Sequence, residues 1–530
     1  MIADKVRMWN QKFNDSEKDY LLLCIPIIIS VLIKLILFSL LWDSPINNDG
    51  TLYIKAAMQY AMGNFAEGIA LYPMPAYPLL LALVHMVIPD WIVAGYFISF
   101  VSMVIVTIPL YYISKYLFGV KAGFFACIVY AILPRMNEWS MYISRDPLFA
   151  LLLIFCIYFA LKSIKEKKSL FFGLAFVFAW CATLIRIEGV VFIGFYFLVL
   201  IYFSIIDKEN RPLFLLRSLI WMGLPLGIAI LALLSTGVRG IAVNRFDNVF
   251  VELTSFFSGK FLIKPIEINQ FLEKAVTKPP FFDGHYSFAT ICRHFMPVFY
   301  LFGIIQILLK ILFPLSIIPL YFGFKNRAEV SDEHGHSGKF ILWVCILYIC
   351  LGYYFLIKYD FIATRYLIIP SFLFLPWIGH GLHGLYEKIS FSSHKNKILF
   401  LVLIIVFAPT IKTFQLISSG DNTNTQAVRW LKDNDKIDKT QIVSNDYRLA
   451  FYIDLKAEEK SNWKTNYYYV KDKTLDIKGI EKFALEQNAQ IIVLKMKTKY
   501  KDKIENFQLF DKINSFIDNK YTVLIYNKVL

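Results

Sequence analysis

The sequence predicts a polytopic α-helical membrane protein that ends in a small C-terminal α/β domain. Of its 530 residues, 57% are hydrophobic and only 18% are charged, whereas soluble domains carry about 25% charged residues. Apolar runs long enough to cross about 30 Å of hydrocarbon recur between residues 20 and 412. From residue 413 the composition changes abruptly, and short predicted strands, one of them Leu449–Ile453, alternate with helical stretches and lysine- and aspartate-rich gaps.

The apolar runs predict about eleven transmembrane helices, of which 121–134 and 169–184 are short for a span. Segment 76–89 follows a proline-rich stretch, so we expect a juxtamembrane helix at the interface. Run 295–323 is expected to form one long tilted helix, because half of it holds only about 14 residues where a span needs about 20. The predicted spans are 20–41, 92–114, 121–134, 147–162, 169–184, 188–206, 213–235, 295–323, 340–357, 366–386 and 396–412.

The basic loops predict how the chain is oriented. Lysines and arginines crowd four loops, which the positive-inside rule assigns to the cytoplasm together with residues 1–19. Residues 42–91 and 236–294 then form the longest outer loops, and residues 413–530 form an extracytoplasmic domain. The first apolar run is too long for a cleaved signal peptide and is expected to stay as an anchor in the inner (cytoplasmic) membrane.

Charge and cysteine content exclude two other classes. The net charge of +15 lies mostly in short loops, where topology and anionic lipids explain it, so no nucleic-acid partner is predicted. The seven cysteines contain no CxxC pair, and they predict neither a disulfide framework nor a metal site. Glu67, His85 and His285 are isolated residues and weak evidence for metal binding, so no metal or cofactor is predicted.

The sequence leaves open where two lysines within apolar runs lie relative to the membrane. Lys34 either extends to the membrane interface or faces a polar cavity, and the sequence favours neither. Lys310 lies in the middle of run 295–323. If that run were a hairpin, every later loop would change sides of the membrane.

Ionisable residues cluster on the predicted outer loops and form the candidate site. Each has a structural alternative: Asp49 and Asp146 suit helix caps, Arg186 and Glu188 suit a self-neutralising pair, and Arg365 with Tyr366 suits interfacial anchoring. Arginine can hold a phosphate and a carboxylate can act as a general base. The inventory favours a reaction on a membrane-borne phosphate over transport, for which charged groups are expected near the midplane. The candidates are Asp49, Arg145, Asp146, Arg186, Glu188, Arg365 and Tyr366.

An ordered set of motifs resembles the GT-C superfamily of polyprenyl-phosphate-sugar-dependent glycosyltransferases. The closest resemblance is to the branch of protein O-mannosyltransferases and lipid A aminoarabinose transferases, over most of residues 20–412. Pro73-Met74-Pro75 stands where the family often has His-Pro-Pro, and the Trp-Trp-Asp-Tyr-Gly signature of oligosaccharyltransferases is absent. The motifs are Asp49-Gly50, Tyr72-Pro73-Met74-Pro75-Ala76-Tyr77-Pro78, Arg145-Asp146-Pro147, Leu184-Ile185-Arg186-Ile187-Glu188-Gly189 and Arg365-Tyr366-Leu367-Ile368-Ile369-Pro370.

The resemblance implies a GT-C-like catalytic domain at 20–412, with Asp49 as the catalytic residue and Asp146 as a second catalytic carboxylate of the site. Tyr77, within the proline- and tyrosine-rich motif, becomes a substrate-binding candidate, and Arg365 and Tyr366 become candidates for the lipid phosphate. The implied activity is inverting transfer of a sugar from an undecaprenyl or similar polyprenyl phosphate to a lipid, glycan or protein acceptor in the cell envelope, for example lipopolysaccharide. The alternatives are a transporter or flippase of a lipid-linked substrate, and an O-antigen polymerase or ligase with a pyrophosphate-linked donor.

Overall fold

The computed structural model describes most of the chain, and the statements below concern that part. The described residues are 15–41, 46–207, 209, 213–217, 219–221, 223, 251–252, 254–276, 288–325, 335–391, 395–415, 423–434, 441–446, 448–452, 466–467, 477–499, 507–518 and 521–529. Most of the predicted span 213–235 and the predicted metal candidate His285 lie outside them. The chain divides into two compact units, one of residues 1–35 and 56–414, the other of residues 36–55 and 415–530.

Helices dominate the described chain up to residue 415. Short 3-10 helices, Lys260–Leu262, Pro314–Ser316 and Thr364–Leu367, lead into three of them. The helices are α1 (Asp15–Leu41), α2 (Asn48–Ala61), α3 (Phe65–Leu71), α4 (Ala76–His85), α5 (Trp91–Ile105), α6 (Thr107–Phe118), α7 (Val120–Ile132), α8 (Pro134–Ser140), α9 (Arg145–Glu166), α10 (Ser169–Ile185), α11 (Gly189–Ile206), α12 (Ile263–Val276), α13 (Phe288–His294), α14 (Met296–Leu312), α15 (Ile317–Lys325), α16 (Gly335–Tyr359), α17 (Ile368–Phe391) and α18 (Lys395–Gln415).

The long apolar helices confirm that the chain is a polytopic α-helical membrane protein. Helices α4, α7 and α10 are apolar but shorter than a span, as is the stretch Leu399–Gln415. The described residues therefore contain six candidate membrane spans, or seven if the bent pair α14–α15 is one span. The total of eleven transmembrane helices remains a prediction. The six are Asp19–Leu40, Trp91–Phe118, Arg145–Glu166, Gly189–Ile206, Ser337–Tyr359 and Thr364–Lys388.

The prediction of a single helix at 295–323 is wrong, because the helix is interrupted at Phe313. Helices α14 and α15 meet at 96°, and Phe313 has the left-handed φ of 64°. Pro314 follows, and a proline cannot donate the backbone hydrogen bond that would continue α14. Lys310 consequently lies in the last turn of α14 and is exposed, rather than in the middle of a helix.

Close packing joins α15 to α17. A methyl group built on Gly381 would collide with the carbonyl oxygen of Pro319, and one on Gly323 would collide with that of Trp377. Small residues let helix backbones approach closely where lipid provides no hydrophobic drive for association. The two glycines therefore allow the second half of the broken pair to pack directly on α17.

Lys34 is fully buried in α1 and does not extend to an interface. Its ammonium donates to Ser30 Oγ at 2.7 Å and to Asn137 Oδ1 at 3.0 Å, and it lies 5.1 Å from the ring centroid of Tyr130. Asn137 in turn donates to the carbonyl oxygens of Ala131 and Leu133. Of the two predicted environments, Lys34 therefore has the buried polar one, and its hydrogen bond to Asn137 links α1 to α8.

The second unit contains a mixed five-stranded sheet. The strand order is β2-β1-β3-β5-β4, with β1 parallel to β2 and β3, and β5 antiparallel to β3 and β4. Helix α20 contributes Ile480 and Ala484 to a core with Ile492 and Leu524. The elements are α19 (Thr423–Asp433), β1 (Ile442–Ser444), β2 (Asn466–Tyr467), α20 (Ile477–Glu486), β3 (Ile491–Lys497), β4 (Phe510–Ile517) and β5 (Tyr521–Lys528).

One predicted strand of this unit is wrong. Leu449–Ile453 was expected to be extended, but residues 448–452 are helical. The carboxylate of Asp446 accepts hydrogen bonds from the backbone N–H groups of Arg448 (2.9 Å) and Leu449 (3.0 Å). That is the geometry of a helix N-cap, so local capping overrides the apolar run.

Candidate functional site

Arg186 is the centre of a buried charged cluster in the first unit. It follows the last residue of α10 in an extended conformation and is only 3% exposed. Its guanidinium donates to Asp146 Oδ1 through Nη1, to Glu188 Oε1 through Nη2 at 2.5 Å, and to Glu188 Oε2 through Nε at 3.3 Å. One arginine therefore binds two carboxylates, one local and one from another helix.

Asp146 is held in place by the start of α9. Ser144 caps this helix: its Oγ accepts from the Asp146 backbone N–H at 3.2 Å and donates to Asp146 Oδ2 at 2.8 Å. Pro147 follows in the first turn, where a missing N–H costs nothing. Ser144, rather than Asp146, therefore caps the helix. Asp146 is only 5% exposed, and its carboxylate accepts hydrogen bonds from Ser144 and Arg186.

Aromatic side chains enclose the guanidinium. Arg186 Cζ lies 5.2 Å from the ring centroid of Tyr366 and 5.5 Å from that of Phe149, within cation–π range. Tyr348 O–H donates to the Glu188 carbonyl oxygen at 3.4 Å. Sequence reasoning missed Phe149 and Tyr348, since an aromatic residue inside an apolar run carries no signal of its neighbours.

A small pocket lies against this cluster. Arg186, Glu188 and Tyr366 line it together with the half-buried Arg365. The 3-10 turn Thr364–Leu367 presents Arg365 and Tyr366. The complete lining is Phe149, Arg186, Glu188, Tyr348, Leu351, Phe355, Arg365, Tyr366, Ile368 and Ile369.

Arg145 connects the cluster to the proline- and tyrosine-rich motif. Its Nη1 contacts Met74 Sδ at 3.2 Å and the Ile185 carbonyl oxygen at 3.4 Å, and its Cζ lies 5.6 Å from the Tyr72 ring centroid. Tyr77, from the same motif, is fully buried. Its phenol interacts electrostatically with Ser99 and Asp146. All of the predicted site residues except Asp49 and Arg365 therefore lie in one neighbourhood, which makes six. Arg365 joins them because it lines the pocket.

The charges of the cluster compensate one another. Burial would raise the pKa of Glu188, but the charge and hydrogen bonds of Arg186, and then the charge of Arg145, bring that pKa below its ordinary value. Glu188 is therefore ionised at neutral pH despite its burial. The pair keeps the self-neutralising role suggested by the sequence, with Asp146 as an additional partner.

Asp49 belongs to the second unit, in the first turn of α2. It is half-buried, and the Asn47 carbonyl oxygen accepts from the Gly50 N–H at 3.0 Å. A carboxylate in the first turn is favoured by the helix dipole. Asp49 thus lies one residue inside the helix rather than at a cap, with a backbone fixed by regular helix geometry.

Of the weak metal candidates from the sequence, Glu67 and His85 lie in the described chain and His285 lies outside it. In the described part of the chain, no three His, Cys, Asp or Glu side chains form a group that could hold a metal ion. His85 instead stacks on Trp91, with ring centroids 3.5 Å apart.

A second polar cluster joins Glu252, in the predicted outer loop 236–294, to α16. The Glu252 carboxylate accepts from Lys358 Nζ (2.5 Å), Tyr354 O–H (2.6 Å) and Tyr359 O–H (2.7 Å). Burial would raise the pKa of Glu252, but these hydrogen bonds and the charge of Lys358 lower it. Lys358 and Tyr359 thus hold the segment around Glu252 against α16.

Comparison with known proteins places these observations in a family context. Residues 72–236, less than half of the chain, match the family model described as dolichyl-phosphate-mannose-protein mannosyltransferase. The matched stretch contains Tyr77, Arg145, Asp146, Arg186 and Glu188. A search of curated protein sequences found no match.

Two solved glycosyltransferase structures share the fold. The Archaeoglobus fulgidus oligosaccharyltransferase, in complex with Zn and sulfate, aligns over 90% of this chain and 68% of its own, with 12% identity and a TM-score of 0.55. ArnT from Cupriavidus metallidurans, bound to undecaprenyl phosphate, aligns over 97% of this chain and 98% of its own, with 12% identity and a TM-score of 0.51. The predicted resemblance to GT-C glycosyltransferases is therefore confirmed, and at this identity it is a likeness of fold.

Proposed function

We propose that this protein is a glycosyltransferase that moves a sugar from a polyprenyl-phosphate donor to an acceptor hydroxyl at the outer face of the cytoplasmic membrane. The observation that carries the proposal is the buried Asp146–Arg186–Glu188 cluster beside Arg365 within a GT-C fold. The likeness to ArnT, whose structure contains undecaprenyl phosphate, supports a lipid phosphate as donor.

Arg365 is the residue we assign to the donor phosphate. Arg186 is already bound by two carboxylates, so its guanidinium has little capacity left for a ligand. Arg365 lines the pocket beside this cluster, and a guanidinium suits a phosphate ligand. As the glycosidic bond breaks, the departing phosphate gains charge, and a nearby guanidinium stabilises that state.

Asp49 is the residue we assign to proton acceptance. The motif resemblance supports this role, as does a backbone held in the first turn of a helix. The acceptor oxygen attacks the anomeric carbon, the bond from that carbon to the phosphate oxygen breaks, and the acceptor proton passes to the Asp49 carboxylate. One displacement inverts the anomeric configuration, and the products are the glycosylated acceptor and the polyprenyl phosphate.

Asp146 is assigned a positioning role. Its two oxygens are used by Arg186 and Ser144, which favours holding Arg186 in place over the catalytic role predicted from the sequence. Tyr77 and Arg145 then connect the cluster to the Tyr72–Pro78 motif as candidate substrate-binding residues. In this proposal, the sugar donor and the acceptor are expectations from the resemblance, and the outer face of the membrane is an expectation from the basic loops.

The test is transfer of radiolabel from a panel of polyprenyl-phosphate sugars to a membrane acceptor extract by the purified protein in lipid. Asp49→Asn should abolish transfer while leaving donor binding intact, and Arg365→Gln should weaken donor binding. Asp511→Asn, which changes an exposed aspartate on β4, is the matched control and should be fully active. Full activity of folded Asp49→Asn would refute the base assignment.

Absence of transfer from every donor by intact protein would refute the reaction itself. In that case, a panel of pyrophosphate-linked donors tests the polymerase or ligase alternative. Movement of a lipid-linked substrate across sealed vesicles, without a covalent product, tests the transporter alternative.

A further inference from the structure

A second cavity, of about 260 Å³, lies between α6 and α9. Its lining consists only of tyrosines and lysines: Tyr112, Lys115, Tyr116, Tyr158, Lys162 and Lys165. Phenol and ammonium groups are hydrogen-bond donors, and ammonium groups are cationic. The cavity is therefore built for an anion.

The cavity lies at the far end of α9 from the candidate active site. Asp146 is in the first turn of this helix, whereas Lys162 and Lys165 are in its last two turns. At 1.5 Å per residue, Asp146 and Lys162 are about 24 Å apart along the helix axis. The cavity is thus a separate site, on the face that the basic loops predict to be cytoplasmic.

Cations exceed anions around this cavity. Lys115 pairs with Asp19, and Glu166 pairs with both Lys162 at 3.3 Å and Lys168 at 3.2 Å. Four lysines therefore surround two carboxylates once Lys165 is included.

Lys165 is the most available of the lining cations. It is exposed, its ammonium lies 4.7 Å from the Tyr116 ring centroid, and no carboxylate of the described chain lies within ion-pair distance of it. The Lys162 ammonium lies 4.2 Å from the Phe171 ring centroid, so it also has an aromatic contact. An incoming phosphate would gain these two ammonium groups without displacing a buried ion pair.

We propose that this cavity binds the phosphate headgroup of an anionic phospholipid in the leaflet opposite the active site. The last turns of two adjacent spans, α6 and α9, form it, and at that depth in a bilayer lipid phosphates are concentrated. Tyrosines at helix ends suit the headgroup region, and each lysine near an anionic surface adds about 1 kcal/mol of attraction. The position at the ends of two spans favours a lipid phosphate over a soluble one.

The experiment compares variants in nanodiscs of mixed phosphatidylethanolamine and phosphatidylglycerol, with the lipids retained on the released protein counted by native mass spectrometry. Lys162→Gln/Lys165→Gln should bind phosphatidylglycerol about 30-fold more weakly than the parent protein, from the loss of two cations. The control Lys121→Gln/Lys388→Gln has the same change of net charge, and both of its lysines are exposed outside the lining. It should retain the lipid.

Equal losses in the double variant and the control would overturn the proposal, because they would assign the lipid to general surface charge. Retention of phosphatidylglycerol by the double variant would overturn it as well. Inorganic phosphate is the competing probe: displacement of the lipid at millimolar phosphate would assign the cavity to a soluble anion. The single variant Lys165→Gln, at an exposed position, repeats the measurement if the double variant does not fold.

Discussion

Replacing Arg186 by methionine removes the cation that compensates two buried carboxylates. Asp146 and Arg186 are 5% and 3% exposed, and the Glu188 side chain is 13% exposed. Breaking a buried ion pair by removing one partner costs about 3–5 kcal/mol, because a charge is left without compensation. We expect a loss of that size in Arg186→Met, limited by protonation of one carboxylate. Arg186→Lys should lose less, since an ammonium keeps the charge but cannot hold both carboxylates in a fork.

The matched control is the triple variant Arg186→Met/Asp146→Leu/Glu188→Met, which has no ionised group in the cluster. Replacing all members of a buried ionic cluster by hydrophobic residues of similar volume is often close to neutral for stability. The triple variant should therefore recover most of the loss while remaining inactive if the cluster serves the donor site. The assay is equilibrium unfolding in mixed micelles with increasing denaturing detergent, followed by tryptophan fluorescence.

Two results would refute this reasoning. If Arg186→Met had the same free energy of unfolding as the parent protein, the two carboxylates would not need the charge of Arg186. A triple variant as unstable as the single one would mean that packing of the guanidinium between its aromatic neighbours, rather than charge, provides the stabilisation.

Three further predictions concern the remaining polar contacts. The lowered pKa of Glu252 means that its stabilising effect is complete above the ordinary carboxyl pKa of about 4.3 and is lost as pH falls through the lower folded-state value. Hydrogen exchange of the 254–262 peptide should accelerate over that acid range, and the variant Glu252→Gln should lack this step. Tyr452→Phe removes the acceptor of the buried Ile46 N–H, now bonded at 2.8 Å. This should cost about 1–3 kcal/mol and speed amide exchange at residues 46–50; unchanged exchange would contradict the role. Asn137→Leu should destabilise the protein more than Lys34→Met, because only the first leaves a buried ammonium; the reverse order in detergent unfolding would disprove it.

The start of α9 shows how much the sequence can predict. Ser144 and Pro147 are local signals of a helix start, and α9 begins between them, at Arg145. The Arg186–Glu188 pair was also visible as a self-neutralising pair two residues apart. Asp146 as its third member was not, because it lies 40 residues away from Arg186 and no periodicity links two segments at that distance.

The errors have physical causes of the same kind. Apolar residues from Leu449 suggested a strand, but a single cap by Asp446 turned the segment into a helix. Pro314 was visible in run 295–323, yet the 96° between α14 and α15 and the close packing of α15 on α17 are tertiary features that the run itself does not encode. Helix capping depends on residues two or three positions apart and can be predicted from the sequence. Packing between helices that are distant in the chain cannot.

Lys34 has a consequence for how the protein is made. Its partner Asn137 is 103 residues further along the chain, so at about 5–20 residues per second the first span waits roughly 5–20 s for it during synthesis. Over that interval Ser30, four residues earlier in the same helix, is the available side-chain partner. The helix must therefore stay beside the insertion machinery or near the lipid headgroups until α8 emerges, which makes membrane insertion of the first span a step that later helices complete.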